Sequence, residues 1–463
     1  MRLRNRHKSV TAVLNCHREG DLLERSFRSV LESLRTLDGS GAGWELLCIA
    51  DNCDSRTMAV LNASVASVPE YDVRVIPSAE GDLGLSRNLA VKNAAGEYIG
   101  FVDADDLVSR NWFSAAYRSN NEAPRSIFHP ECNLYFGCVK AFFVHRNQAV
   151  YDLRALFFHN LWSALSFAHS ETYKSTIYRR NRIDQGFGYE DWNWNCETIL
   201  GGHEHRVVPG TCHFVRMKEG SLSQSSARNE CLIQPTDLWK YLSRGQIGGQ
   251  VGKWSDTVLS WIGRNQRSRN RRQTGFVSDK MFYDPDDLIF EEAPVWMHES
   301  LAAAQTDDSS IDLSGYLTNF SPLIESPFVP YFSDAAFNAA SRGVDTIHFF
   351  DSSQTLKRVL PSISSERVFA ITERSTEALP ENVLWVENLE TQLGYKFEMY
   401  LAMLAVQSRC RELHIWNSTI GLRVLAKYKL ALRSAVSRVH YHGDPASCPE
   451  DLRPVFDACL SIS

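Results

Sequence analysis

The run from Tyr98 to Asp106, Tyr-Ile-Gly-Phe-Val-Asp-Ala-Asp-Asp, constrains this chain more than any other. A short apolar segment ends abruptly in Asp103, Asp105 and Asp106. An open α/β sheet puts its ligand beyond the carboxyl ends of its strands. Residues i and i+2 of a strand share a face, so Asp-x-Asp can aim two carboxylates at one hard divalent cation and present it to phosphate oxygens. A solvated acidic turn has the same pattern, so the neighbouring segments must decide.

Those segments alternate strand and helix signals. Val10 to Leu14 is an apolar strand candidate, and the polar loop Asn15 to Gly20 follows. Asp21 is placed to cap a helix whose apolar residues Leu23, Phe27, Val30, Leu31 and Leu34 form one stripe. A second strand, Glu45 to Ala50, ends at Asp51, and a third covers Val73 to Ile76. A helix from Ser86 to Ala95, closed by Gly96 at C′, leads into the acidic strand. Strand, helix, strand, helix, strand, with carboxylates at two strand ends, predicts an α/β fold with a mostly parallel sheet and one ligand crevice.

Four pieces recur here in fixed order: Asn15-Cys16-His17-Arg18-Glu19, Asp51, Gly84-Leu85-Ser86-Arg87-Asn88, and Ala95 through Asp106. Together they resemble the family 2 glycosyltransferases over about the first half of the chain. That resemblance implies a GT-A fold and a nucleotide-diphosphate sugar donor. It assigns Asn15, Glu19, Asp51, Arg87, Asp103 and Arg216 to the donor, with Asp51 on the base and Arg87 along the diphosphate. It assigns Asp103 and Asp105 to Mn2+ or Mg2+, with His213 as a third metal ligand. Asp106 either supports its neighbours or caps the next helix. The family often carries Pro-x-Tyr-Asn-Arg-Glu after the first strand, whereas this chain has Leu14-Asn15-Cys16-His17-Arg18-Glu19, so the base stays open among UDP, GDP and dTDP.

A second constellation is Gly186-Phe187-Gly188-Tyr189-Glu190-Asp191-Trp192-Asn193-Trp194, before a helix ending near Gly201-Gly202. Acidic residues suit any first helical turn because they complement its dipole. The resemblance implies more: Asp191 as the catalytic base of an inverting transfer, and Glu190 orienting the acceptor or its loop. A carboxylate there can take the acceptor hydroxyl's proton as its oxygen attacks. Trp192 and Trp194 suit either sugar stacking or a core. Downstream, His213, Arg216 and Lys218 form a basic segment that could close over a pyrophosphate.

The chain has 463 residues and a net charge of -6, which argues against nucleic acid as a partner. Its 11 cysteines are scattered without Cys-x-x-Cys, which points to a reduced, cytoplasmic compartment. The basic N-terminus lacks the apolar stretch of a signal peptide, and no apolar run is long enough for a membrane span. The expected division is a GT-A domain over 1–229, a helical connector over 230–315, and a Rossmann-like α/β domain over 316–463. The connector holds Trp239, Trp254 and Trp261 and the basic run Arg264 to Arg272, which reads as a solvated linker face or as a contact with anionic lipid headgroups at the inner membrane or with an acidic acceptor carrier. The last domain has strand candidates at Thr346–Phe350, Val368–Ile371, Val383–Val386, Glu412–Trp416 and Val439–His442. It faintly resembles the N-terminal half of a GT-B glycosyltransferase. No second half follows, which leaves a remnant, a docking domain or a truncation product.

The expected function is a metal-dependent, inverting glycosyltransferase. Its acceptor would be a glycan or lipid-linked glycan of bacterial surface polysaccharide, such as O-antigen or capsule. The competing class is a non-catalytic nucleotide-sugar-binding or scaffolding module.

Overall fold

The computed structural model describes residues 8–137, 141–151, 153–157, 159–218, 222–243, 342–363, 367–373, 383–385, 390 and 397–460. Trp254, Trp261 and the Arg264 to Arg272 run lie outside the described residues, with most of the expected connector.

The first sheet begins with β1 (Lys8–Cys16), β2 (Gly43–Asp51), β3 (Val73–Ser78) and β4 (Tyr98–Asp103). They pair in parallel in the order β3-β2-β1-β4. All nine residues of β2 are buried, because helices cover both faces of a parallel sheet. Those helices are α1 (Leu22–Arg35), α2 (Ser55–Ala66) and α3 (Leu83–Asn93). Beyond β4 the sheet turns mixed, with β5 (Leu107–Val108), β6 (Ser126–Gly137), β7 (Ala141–Val144), β8 (Phe167–His169) and β9 (Glu204–Met217). Strand β8 runs antiparallel to β4, and β6 pairs β9 in parallel. The mostly parallel expectation therefore holds for the first half of the sheet. The second half also carries α4 (Trp112–Glu122), α5 (Ser170–Ser175), α6 (Glu190–Leu200), α7 (Leu222–Arg228) and α8 (Leu238–Ser243).

Two local expectations are corrected. Asp21 stands before α1 but makes no side-chain cap, and its carboxylate pairs with Arg56 instead. Helix α3 begins earlier than Ser86, because Asp82 caps it by accepting from the Leu85 N–H at 3.0 Å. It ends before Gly96, which serves as a close approach and not as a helix stop. A Cβ at Gly96 would lie 2.4 Å from the Thr11 nitrogen on β1.

The second sheet is six-stranded, in the order β12-β11-β10-β13-β14-β15, and every pairing is parallel. Its strands are β10 (Thr346–Phe350), β11 (Val368–Thr372), β12 (Val383–Trp385), β13 (Glu412–Trp416), β14 (Arg438–His442) and β15 (Ala458–Leu460). Its helices are α9 (Ser353–Val359), α10 (Phe397–Gln407) and α11 (Thr419–Ala435). A helix apolar on every side must be enclosed on every side. Helix α10 is such a helix, and all but Met399 of its residues are buried. One apolar cluster joins Leu401, Met403 and Leu404 of α10 to Trp162, Phe187, Leu232 and Trp239 of the first half. Gln407 closes that junction, its Oε1 accepting from the Thr236 N–H and the Trp239 Nε1–H, each at 3.0 Å.

Candidate active site

The carboxyl ends of β1, β2 and β4 bring Asn15, Asp51 and Asp103 to one edge of the first sheet. Asn15 lies opposite Asp103 in register, and its Nδ2 donates to Asp103 Oδ1 at 3.4 Å. Asp51 is turned toward the start of α3. Its two oxygens accept from the Gly81 N–H at 3.1 Å and the Ser86 hydroxyl at 2.9 Å. That carboxylate therefore shapes the loop ahead of α3.

Arg87 is fully buried and bridges two carboxylates. Its Nη1 donates to Glu190 Oε1 at 2.7 Å and its Nη2 to Asp103 Oδ1 at 3.3 Å. Burial alone would lower its pKa, but the charges of Asp103 and Glu190 outweigh that and raise it. The guanidinium also lies over the Tyr178 ring, 5.3 Å from its centroid. Glu190 Oε2 accepts from Asn181 Nδ2 at 2.9 Å, so both of its oxygens are engaged inside the protein. Two further contacts hold the 178–181 segment against α3. Asn88 exchanges two hydrogen bonds with the Tyr178 backbone, at 2.8 and 2.9 Å. A Cβ on Gly84 would lie 2.7 Å from the Arg179 carbonyl, so that approach needs glycine.

The other two acidic residues face β9. Asp106 is buried, with Oδ2 bonded to His213 Nε2 at 2.9 Å and Oδ1 accepting from the Arg216 N–H at 2.7 Å. Burial pushes its carboxyl well above the usual range, and the Asp105 charge adds to that. Asp105 pairs with Lys218 Nζ at 2.7 Å, while Arg216 Nε donates to the Asp105 carbonyl at 3.0 Å. Burial raises Glu19 as well, and the neighbouring Asp105 charge acts in the same direction. Asp103 is raised by burial, against the pull of Arg87.

The candidate metal ligands separate accordingly. Asp103 and Asp105 offer hard oxygen donors, the set that Mg2+ and Mn2+ prefer. The crowding of the two carboxylates, with Asp103 raised by burial, suits a cation that would relieve it. His213 is instead committed to Asp106 through Nε2, on a buried strand.

Asp191 stands in the first turn of α6, where its Oδ2 accepts from Asn160 Nδ2 at 2.9 Å. Asn160 is itself held by Asn195 at 2.8 Å. Tyr189, just before the helix, has φ 60°, a left-handed conformation that is uncommon for a side chain of its size. Trp192 and Trp194 belong to the core. Their indole N–H groups donate to the Leu156 carbonyl at 2.9 Å and the Thr176 carbonyl at 2.7 Å. Asn88, Asn160, Tyr178 and Asn181 were not among the expected site residues. Asn88 lies on α3 inside the Gly84 to Asn88 segment and the other three lie in loops farther along the chain, so only the spatial pairing of α3, α6 and the 178–181 segment reveals their contacts.

This arrangement defines the class. The first half is a GT-A domain, and a second α/β domain with a parallel sheet follows. Residues 11–186 match the family model described as Glycosyl transferase family 2. A curated relative, Glycosyltransferase GlyA of Streptococcus pneumoniae, is 26% identical over 169 residues, covering 34% of this chain and 24% of its own length. Another, the uncharacterized glycosyltransferase EpsJ of Bacillus subtilis, is 38% identical over 69 residues, covering 15% of this chain and 20% of its own. The chain thus spans about a quarter or less of these relatives. Among solved structures, the mannosyltransferase PcManGT of Pyrobaculum calidifontis with GDP-Man and Mn2+ matches at TM-score 0.37 and 12% identity, over 57% of this chain and 82% of that one. S. aureus TarS in complex with UDP-GlcNAc matches at TM-score 0.34 and 15% identity, over 66% and 82%.

Proposed function

We propose that the protein is an inverting glycosyltransferase that moves a sugar from a nucleotide-diphosphate donor to an acceptor hydroxyl. The observation that carries this reading is the Asp103–Arg87–Glu190 bridge, which ties the Asp-x-Asp strand to the helix bearing Asp191. It holds the donor edge and the proposed base at a fixed relation. Asn160 orients Asp191, which would accept the proton from the acceptor hydroxyl as that oxygen bonds to the anomeric carbon. The nucleoside diphosphate then departs on the opposite side. Asp103 and Asp105 would hold Mn2+ or Mg2+, which when bound neutralises charge on the leaving diphosphate. Arg216 and Lys218 would face the same phosphates. Asp51, Asn15 and Glu19 would line the nucleoside side. The acceptor class we assign is a glycan or lipid-linked glycan of the surface-polysaccharide type, reached at the inner membrane face without a span. Among the described residues no helix is long and apolar enough to cross a membrane.

The test separates binding from chemistry. Asp191→Asn should bind the donor as the parent does and lose transfer by about 100-fold or more, the usual scale for a lost general base. Near-normal transfer would remove Asp191 from this role.

The Lys218–Asp105 pair favours a second reading, in which the ammonium and not a divalent ion offsets the diphosphate charge. Donor binding in excess EDTA decides between them. Retained binding that Lys218→Met abolishes supports the lysine; binding restored only by Mn2+ or Mg2+ supports the metal.

A further inference from the structure

The second sheet carries a histidine ladder remote in sequence from the Asp-x-Asp strand. His348, His414 and His440 are register partners on β10, β13 and β14. In-register residues of neighbouring parallel strands stand about 4.8 Å apart on one face. Their rings stack accordingly, with centroids at 4.4 Å and 4.7 Å. The opposite face, with Ile347, Phe349, Leu413 and Ile415, is buried, and α11 packs there so closely that a Cβ on Gly421 would lie 2.8 Å from Phe349.

Glu412 precedes His414 by two residues and so shares its face. Its Oε1 is fixed by Arg438 Nη2 at 2.6 Å. Its Oε2 faces two imidazole nitrogens, His414 Nε2 at 3.3 Å and His440 Nε2 at 3.9 Å. Donor atoms of the three residues all lie within 4.8 Å of one another. Ligands on a tetrahedral ion with bonds of about 2.0–2.1 Å stand about 3.4 Å apart, so the set needs only a small closure.

We propose that Glu412, His414 and His440 bind one divalent transition-metal ion of the zinc type, in a site separate from the carboxylates of the first sheet. Imidazole donors select zinc, nickel or copper over magnesium. The set leaves a coordination position for water. The ring of His414 is held from behind, its Nδ1 bonded to His442 Nε2 at 2.9 Å, as ligating histidines usually are. The three residues are half-buried, open enough for an ion to enter.

Cobalt(II) titration of the untagged full chain tests this, with the visible bands of four-coordinate cobalt as readout and zinc as competitor. The expected result is one equivalent bound and displaced by zinc. Glu412→Gln and His440→Gln should each weaken binding at least 10-fold, while Asp103→Asn/Asp105→Asn leaves it unchanged. Circular dichroism in chelator confirms that each variant is folded. No binding by the parent chain overturns the proposal. So does binding that persists in both ladder variants, or that vanishes when Asp103 and Asp105 are replaced.

Discussion

Arg87 is the residue on which the site turns. It is buried between Asp103 and Glu190 and pairs with both. Removing one partner of a buried ion pair leaves the others uncompensated, at a cost of about 3–5 kcal/mol. Arg87→Met should therefore lower the urea midpoint by the equivalent of that amount, and Glu190→Gln in the same background should recover part of it. A loss under about 1 kcal/mol would show that the bridge does not hold this edge together. The family resemblance implies that Arg87 lies along the donor, but it gives no hint that Glu190 is its partner, 103 positions away. Asp106 teaches a similar lesson. In the sequence Asp106 reads as a support for its neighbours or a helix cap, and β9 takes it for His213 while leaving Asp105 to Lys218. Which carboxylate faces which strand is a property of the sheet and not of the motif.

At the scale of elements, apolar periodicity locates strands and helices well, because burial imposes it. Strands β10 and β13 fall where expected, at Thr346–Phe350 and Glu412–Trp416. Helix ends are read less well, since they depend on partners. Gly96 has the look of a helix stop, but the approach of β1 is what requires it there. The second half of the first sheet was illegible for a related reason: its pairings, antiparallel for β4 with β8 and parallel for β6 with β9, join strands far apart in the chain. One such region buries a histidine pair, His129 Nε2 and His205 Nδ1 at 2.9 Å, stacked beside Trp162. Burial lowers His205 to about 3 and His129 well below its ordinary value. The unfolded chain takes up those protons near pH 6.5, while the native state does not. Stability from the pair is thus complete above about 6.5 and is lost as pH falls toward 3. His205→Gln should cost stability at pH 7.5, and that cost should shrink toward pH 5.5 by up to about 1.4 kcal/mol per unit. A difference that stays constant with pH would contradict it.

At the scale of the whole molecule, the second sheet and α10 share one apolar core with α6, α8 and the segment around Trp162 of the first half. The second domain reaches the turn ahead of α6 as well. Gly186, at φ 77°, lies so close to α11 that a Cβ there would be 2.3 Å from the Ala431 nitrogen. Four residues later comes Glu190, and then Asp191. Gly186→Ala should push α11 off this turn and raise hydrogen exchange in the segment from Arg182 to Asp191. Unchanged exchange would mean that the second domain does not brace the loop. None of this contact is visible in the sequence, where Gly186 and Ala431 are merely two small residues in distant segments.

The central claim is that the edge formed by Asn15, Asp51, Arg87, Asp103 and Asp105 binds a nucleotide-diphosphate sugar. A thermal-shift panel of UDP-, GDP- and dTDP-sugars, each with and without Mn2+, measures this most directly, because a ligand that binds the native state raises Tm by mass action. One donor should stand out, with a shift that grows with Mn2+ and disappears in Asp103→Asn/Asp105→Asn. Equal, negligible shifts across the whole panel for the folded parent chain would contradict it.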